Sequence, residues 1–158
     1  MLDHSTMSTK HPVIRELDKK ELQWCDDARE MARALFQRYT SAVPSAVTPE
    51  QMDVVYSAWC DDDRDDLPPL QFLYQGFGIL LGDLFRERFD YEWKMITDDF
   101  GSEISLYMQS PNATLQNSWL SPLSMVGKRV RDGRPFVAAL FSTIVAQHEK
   151  DGYKKRAF

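Results

Sequence analysis

Gly76-Phe77-Gly78-Ile79-Leu80-Leu81-Gly82-Asp83 is an apolar helical run punctuated by glycine, and the period of the chain changes just beyond it. Leu70, Leu73, Phe77, Leu80, Leu81, Leu84 and Phe85 wrap most of a helix from Leu70 to Phe89, which predicts a central, nearly buried element. Gly78 and Gly82 fall four residues apart on one face. Each glycine costs a helix about 1 kcal/mol relative to alanine, so the close approach of another backbone is the expected compensation. Beyond Phe89 the apolar period drops to two: Tyr91, Trp93 and Met95, then Ile104, Leu106 and Met108, with Asp98-Asp99-Phe100-Gly101 between them as a turn. A third strand runs through Leu115 and Trp119 after the turn Ser110-Pro111-Asn112.

Helices flank this unit on both sides. Val13, Ile14, Leu17, Trp24, Ala28, Met31, Leu35 and Tyr39 recur at helical steps from about Pro12 to Thr40. Thr48-Pro49-Glu50-Gln51 is a capping-box start for a second helix carrying Met52, Val55, Tyr56 and Trp59. After the strands, Ser121-Pro122 begins a helix that ends at Asp132-Gly133, and Pro135 opens the last one, with Val137, Leu140, Phe141, Ile144, Val145 and His148 as its stripe. The expected fold is α+β: N-terminal helices, then a helix, a three-stranded antiparallel meander and two C-terminal helices. The expected divisions are a disordered stretch 1–10, a helical arm 11–66, an α+β core 67–150 and a basic tail 151–158.

The order Gly78, Leu81-Gly82-Asp83, Tyr91-Glu92-Trp93, Asp98-Asp99-Phe100-Gly101 and Pro122-Leu123-Ser124-Met125-Val126-Gly127-Lys128-Arg129-Val130 resembles a bacterial family known as domain of unknown function family 3806. The resemblance covers roughly residues 70–150 and implies a small soluble bacterial α+β domain. It brings no activity with it.

Composition narrows the function classes. The 158 residues carry a net charge of −5, which lacks the cationic face that nucleic-acid binding needs to release counterions. No apolar run approaches the roughly 18 residues of a membrane span, and a cytoplasmic location is expected. Two cysteines, Cys25 and Cys60, form neither a disulfide framework nor a metal spacing. The charge is segregated: residues 1–66 sum to −6 and residues 128–158 to +5. An acidic front and a basic tail suit attraction within or between molecules, or two solvated faces.

The candidate sites follow from that segregation. Asp61, Asp62, Asp63, Asp65 and Asp66 form either a solvated interhelical loop or an acidic patch for a basic protein. The run fails the calcium-loop pattern because Asp66 stands where glycine is needed and Phe72 where the bidentate glutamate is needed. Lys128, Arg129, Arg131 and Arg134 complement a helix C-terminus or bind an acidic partner. Asp98 and Asp99 with Glu92 or Glu103 are candidate acid–base pairs, although turn aspartates are common for backbone reasons alone. The glycines are spaced GxGxxxG inside a helix with no preceding strand, so Gly78 and Gly82 read as close-packing positions rather than a nucleotide loop. No catalytic residue, metal site or cofactor is expected.

The functional expectation is a non-enzymatic module with an unidentified protein partner, a toxin-neutralising or immunity protein being one form of it. The alternative is a small-molecule or weakly catalytic domain with a pocket between the sheet and the glycine-bearing helix. A homodimer through the N-terminal helix stripe is compatible with either.

Overall fold

Asp18 decides where the first helix starts. In a computed structural model, which describes residues 12–41, 43–133 and 137–153, its side chain accepts from the Glu21 N–H at 2.8 Å while Glu21 Oε1 accepts from the Asp18 N–H at 2.9 Å. This reciprocal capping box starts α1 at Lys19, and the helix runs Lys19–Thr40. Arg15 forks onto Glu21 at 2.7 and 2.8 Å and, with the backbone bond, pulls that carboxyl down to about 2. Val13–Arg15 is therefore left outside the helix as a short strand, β1. The expected helix from Pro12 is corrected accordingly. Val13 and Ile14 are β-branched and pair with Thr97 and Ile96 on the next strand instead of extending the helical stripe.

Among the described residues the sheet consequently has four strands rather than the expected three. Glu92–Asp98 (β2), Gly101–Met108 (β3) and Ser118–Leu120 (β4) follow β1 in the antiparallel order β1-β2-β3-β4. The last strand begins at Ser118 and not near Leu115, because Asn112 captures the intervening chain: its Oδ1 accepts from the N–H groups of Thr114 and Leu115 and from the Thr114 hydroxyl. Trp93 opposite Leu106 and Met95 opposite Ile104 line the face toward the core, while Lys94, Ile96, Glu103 and Ser105 belong to the other face.

Helices α2 (Pro49–Cys60), α3 (Phe77–Arg88), α4 (Pro122–Arg131) and α5 (Val137–Asp151) complete an α+β fold with five α-helices among the described residues. The expected capping box of α2 is formed by Thr48 and Gln51. A π-helical turn, Phe72–Gly76, leads into α3 and widens the helix by a residue per turn. Leu73, Gly76 and Phe77 are buried, whereas Leu70 and Tyr74 stay outside. The apolar stripe of α1, including Cys25, Ala28, Ala32, Leu35 and Phe36, is buried within the molecule. A Cβ on Gly76 would lie 2.9 Å from the Ala32 nitrogen, so the two backbones touch where α1 carries its smallest side chains.

Asp53, on α2, accepts from the N–H groups of Val137 and Ala138 at 2.8 and 3.1 Å and so caps α5 from a distance. Asp53→Ala is expected to cost about 1 kcal/mol, with Asp53→Asn near wild type, in chemical denaturation. The other end of α5 is fixed by His148, whose Nε2 lies 2.5 Å from Tyr91 Oη, itself 2.7 Å from Ser118 Oγ. The rings of Phe89 and Tyr153 close over the imidazole at 5.0 and 5.2 Å.

Burial lowers the His148 pKa from its ordinary value against the opposing field of Asp151, so the folded state holds a neutral ring. The unfolded chain binds the proton more readily, and this contribution to stability is complete above the ordinary histidine pKa. It is lost as pH falls through the lower folded value. Melting temperature is expected to fall between pH 7 and pH 5, and His148→Gln to make that fall smaller. An unchanged slope in the variant would contradict this assignment.

The expected disordered stretch 1–10, Arg134, Pro135 and residues 154–158 of the basic tail lie outside the described residues.

Candidate functional site

The residues singled out in the sequence separate into three places. The first is a packing node around the glycine-bearing face of α3. A Cβ on Gly78 would stand 2.9 Å from the Leu123 Cα, and one on Gly82 would stand 2.1 Å from Cζ2 of the Trp93 ring. Pro122 also lies 3.2 Å from that second position. The next residue, Asp83, accepts from the Trp93 indole N–H at 3.0 Å and from Arg29 of α1 at 2.7 and 3.0 Å. One helical turn thus gathers α1, α4 and β2. Trp93 covers the helix here, and the space between the sheet and the glycine-bearing helix holds a packed ring.

The second place is the loop after α2, where the five aspartates divide. The Asp62 side chain is only 3 % exposed, and it accepts from Tyr39 Oη at 2.6 Å, Arg38 Nε at 3.0 Å and Arg64 Nε at 2.9 Å. These donors hold its carboxyl far below the usual carboxylate range, Arg64 and Tyr39 contributing most. Arg38 also forks onto Asp66 at 3.1 and 2.9 Å. Asp62 is therefore part of a clasp tying the loop to the last turns of α1, not part of an exposed acidic face. Asp61, Asp63 and Asp65 do face solvent and form no ion pair with any described residue. Just beyond them Leu67, Leu70 and Tyr74 are 39 %, 49 % and 36 % exposed. Lys128, Arg129 and Arg131 occupy the last turn of α4, where cations complement the helix dipole, and they too form no ion pair with a described residue.

Depressions make up the third group. One, of about 250 Å³, lies on the outer face of the sheet between Asp98, Phe100, Glu103, Ser105, Trp119 and Ser121. Another, of about 530 Å³, is bordered by Glu16, Cys25, Asp26, Arg29, Arg86 and Trp93. Burial pushes the Cys25 thiol up to about 11, the reverse of what a nucleophilic cysteine needs. Glu92, one of the expected acid–base candidates, is drawn into an ion pair with Lys94 at 3.1 Å. Among the described residues no three His, Cys, Asp or Glu side chains converge as metal ligands do, and no helix is long and apolar enough to cross a membrane.

Gly78, Gly82, Asp83, Trp93, Pro122 and Leu123, which lie far apart in sequence, meet in the packing node. Residues 58–141 match the model of a domain of unknown function, DUF3806, and span more than half of the chain. The chain belongs to the DUF3806 family. No curated protein and no solved structure matches it. Gly78, Gly82-Asp83, Trp93 and Pro122-Leu123 of the quoted segments thus meet where backbone and ring pack, whereas Asp98-Asp99-Phe100-Gly101 closes the β2–β3 hairpin away from that point.

Two features escape sequence reading. The Arg29–Asp83–Trp93 link joins residues 54 and 10 positions apart, and only the adjacency of Asp83 to the glycines hints at it. The outer-face depression follows strand alternation, which places Trp119 and Ser121 on one side, but its composition depends on the register of three strands.

Proposed function

We propose that this DUF3806 chain is a protein-binding module whose contact surface is the segment from Asp61 to Tyr74. The observation that carries this reading is the run of exposed apolar side chains, Leu67, Leu70 and Tyr74, next to the unpaired carboxylates of Asp61, Asp63 and Asp65. Apolar residues scattered singly on a surface mean little, whereas three exposed ones fall here within eight residues of chain. An apolar centre with a charged rim is the usual anatomy of an interface.

The clasp of Arg38 and Tyr39 on Asp62 supports the same reading. It fixes the loop before any partner arrives, so less conformational entropy is lost on association. The π-helical turn directs Tyr74 outward while Leu73 and Gly76 anchor it. The rim is acidic, and the partner of matching chemistry is a basic protein; neutralisation of a basic toxin is one instance.

The test is capture of the partner on tagged wild-type protein at low and moderate salt, beside a bait carrying Asp61→Asn, Asp63→Asn and Asp65→Asn and another carrying Leu70→Glu. A stoichiometric basic partner is expected, weakened by salt and by the first bait and lost with the second. Equal capture by all three baits would refute the proposed surface.

A further inference from the structure

We propose that the outer face of the sheet carries a binding site for an organic cation, an alkylammonium or guanidinium group. None of its residues belongs to the segment 61–74, so it stands apart from the protein-binding reading.

Strand alternation builds the site. Ile96 and Asp98 on β2, Gly101, Glu103 and Ser105 on β3, and Trp119 and Ser121 on and just after β4 all border one depression of about 250 Å³. That volume is below the roughly 300 Å³ at which drug-sized pockets begin, and it suits one small head group or one side chain. Ile96, 4 % exposed, supplies an apolar floor, and Ser105 is buried with its hydroxyl 3.3 Å from that of Ser121. Two aromatic rings stand at the rim at unusual cost: Phe100 is 83 % exposed and Trp119 is 42 % exposed. A Cβ on Gly101 would meet nothing within 4 Å, so the turn leaves the entrance open.

The charge of the depression selects the ligand. Its two carboxylates make only neutral hydrogen bonds: Asp98 Oδ1 accepts from the Phe100 N–H at 2.8 Å, and Glu103 Oε1 accepts from the Ser124 hydroxyl at 2.8 Å. Neither has an ion pair with a described residue, and one oxygen of each is left for a ligand. The cation on the same face, Lys94, is already compensated by its ion pairs with Glu16 and Glu92. Uncompensated carboxylates beside exposed aromatic faces attract a cation twice, by charge and through the ring quadrupole, and repel an anion.

The test is an NMR titration of the full chain, following the Trp119 indole and the amides of Ser102 and Ser105. The probes are choline, its neutral isostere 3,3-dimethylbutan-1-ol, n-butylammonium and N-acetyl-lysine methylamide. Saturable shifts are expected with the cations at millimolar concentration and not with the isostere. Trp119→Ala is expected to weaken binding about fivefold, and Asp98→Asn with Glu103→Gln about tenfold, the latter pair keeping shape while removing charge. Tighter binding of the lysine derivative than of butylammonium would assign the site to a side chain of a polypeptide; the reverse order would assign it to a free amine. Equal shifts with the isostere, no shift, or shifts indifferent to these substitutions would overturn the site. Asp61→Asn, Asp63→Asn and Asp65→Asn leave this titration unchanged, so it fails or stands independently of the protein-binding surface.

Discussion

Gly82→Ala is expected to lower the melting temperature by about 4–8 °C, although the same change in an open helix would raise it. Alanine favours a helix by about 1 kcal/mol over glycine. Here the added methyl would stand 2.1 and 2.2 Å from two carbons of the Trp93 ring and 3.2 Å from Pro122. The indole has no free end to swing, because its nitrogen is bonded to Asp83 at 3.0 Å. Overpacking a tight site costs about 1–3 kcal/mol and more where the neighbour is held, which leaves a net loss of about 2 kcal/mol. Thermal melts of Gly82→Ala, Trp93→Phe and the double variant test the mechanism as a cycle. The smaller ring relieves the clash, so the double variant is expected to be more stable than the two separate losses predict, by more than about 0.5 kcal/mol. A melting temperature that rises in Gly82→Ala would show that the ring yields freely and that the glycine is not there for packing.

Asp83→Ala carries the second large effect. The carboxylate links α1, α3 and β2 through Arg29 and Trp93, and Arg29 is held firmly protonated chiefly by its hydrogen bonds to Asp83. Removing one member of a fully buried pair costs about 3–5 kcal/mol because the other charge is left without compensation. The two side chains are 31 % and 24 % exposed, so water recovers part of that cost, and about 2 kcal/mol is expected. Asp83→Asn keeps one acceptor for the indole or the guanidinium and is expected to lose about half as much. Urea denaturation of both variants decides the point: equal losses would mean that shape and not charge is what α3 needs from this position.

The fold was most legible where the signal is local. Thr48 and Gln51 state a helix start in four residues, and the alternation from Tyr91 to Met108 states two strands and their faces. β1 shows the limit of periodicity. Val13 and Ile14 fit the same apolar spacing as Leu17, while the Asp18–Glu21 box that starts the helix after them is a polar signal of equal weight. Their strand partners, Ile96 and Thr97, are some 80 residues away and leave no trace nearby. The aspartate run shows the same limit in electrostatics. Five like charges read as a solvated loop or an acidic patch, and nothing nearby shows that Arg38, 24 and 28 residues away, pairs with Asp62 and Asp66. Gly78 and Gly82 were legible as positions needing a close neighbour, because a helix has no other use for them, although nothing local identifies Leu123 and Trp93 as the neighbours.

Hydrogen exchange on the complex with the captured partner tests the central claim most directly, comparing amide protection in the free and bound chain. The protein-binding account predicts new protection concentrated between Asp61 and Gly76, with the outer sheet face and α5 unchanged. Protection confined to the sheet face or to α5, with the segment from Asp61 to Gly76 exchanging as in the free chain, would contradict it.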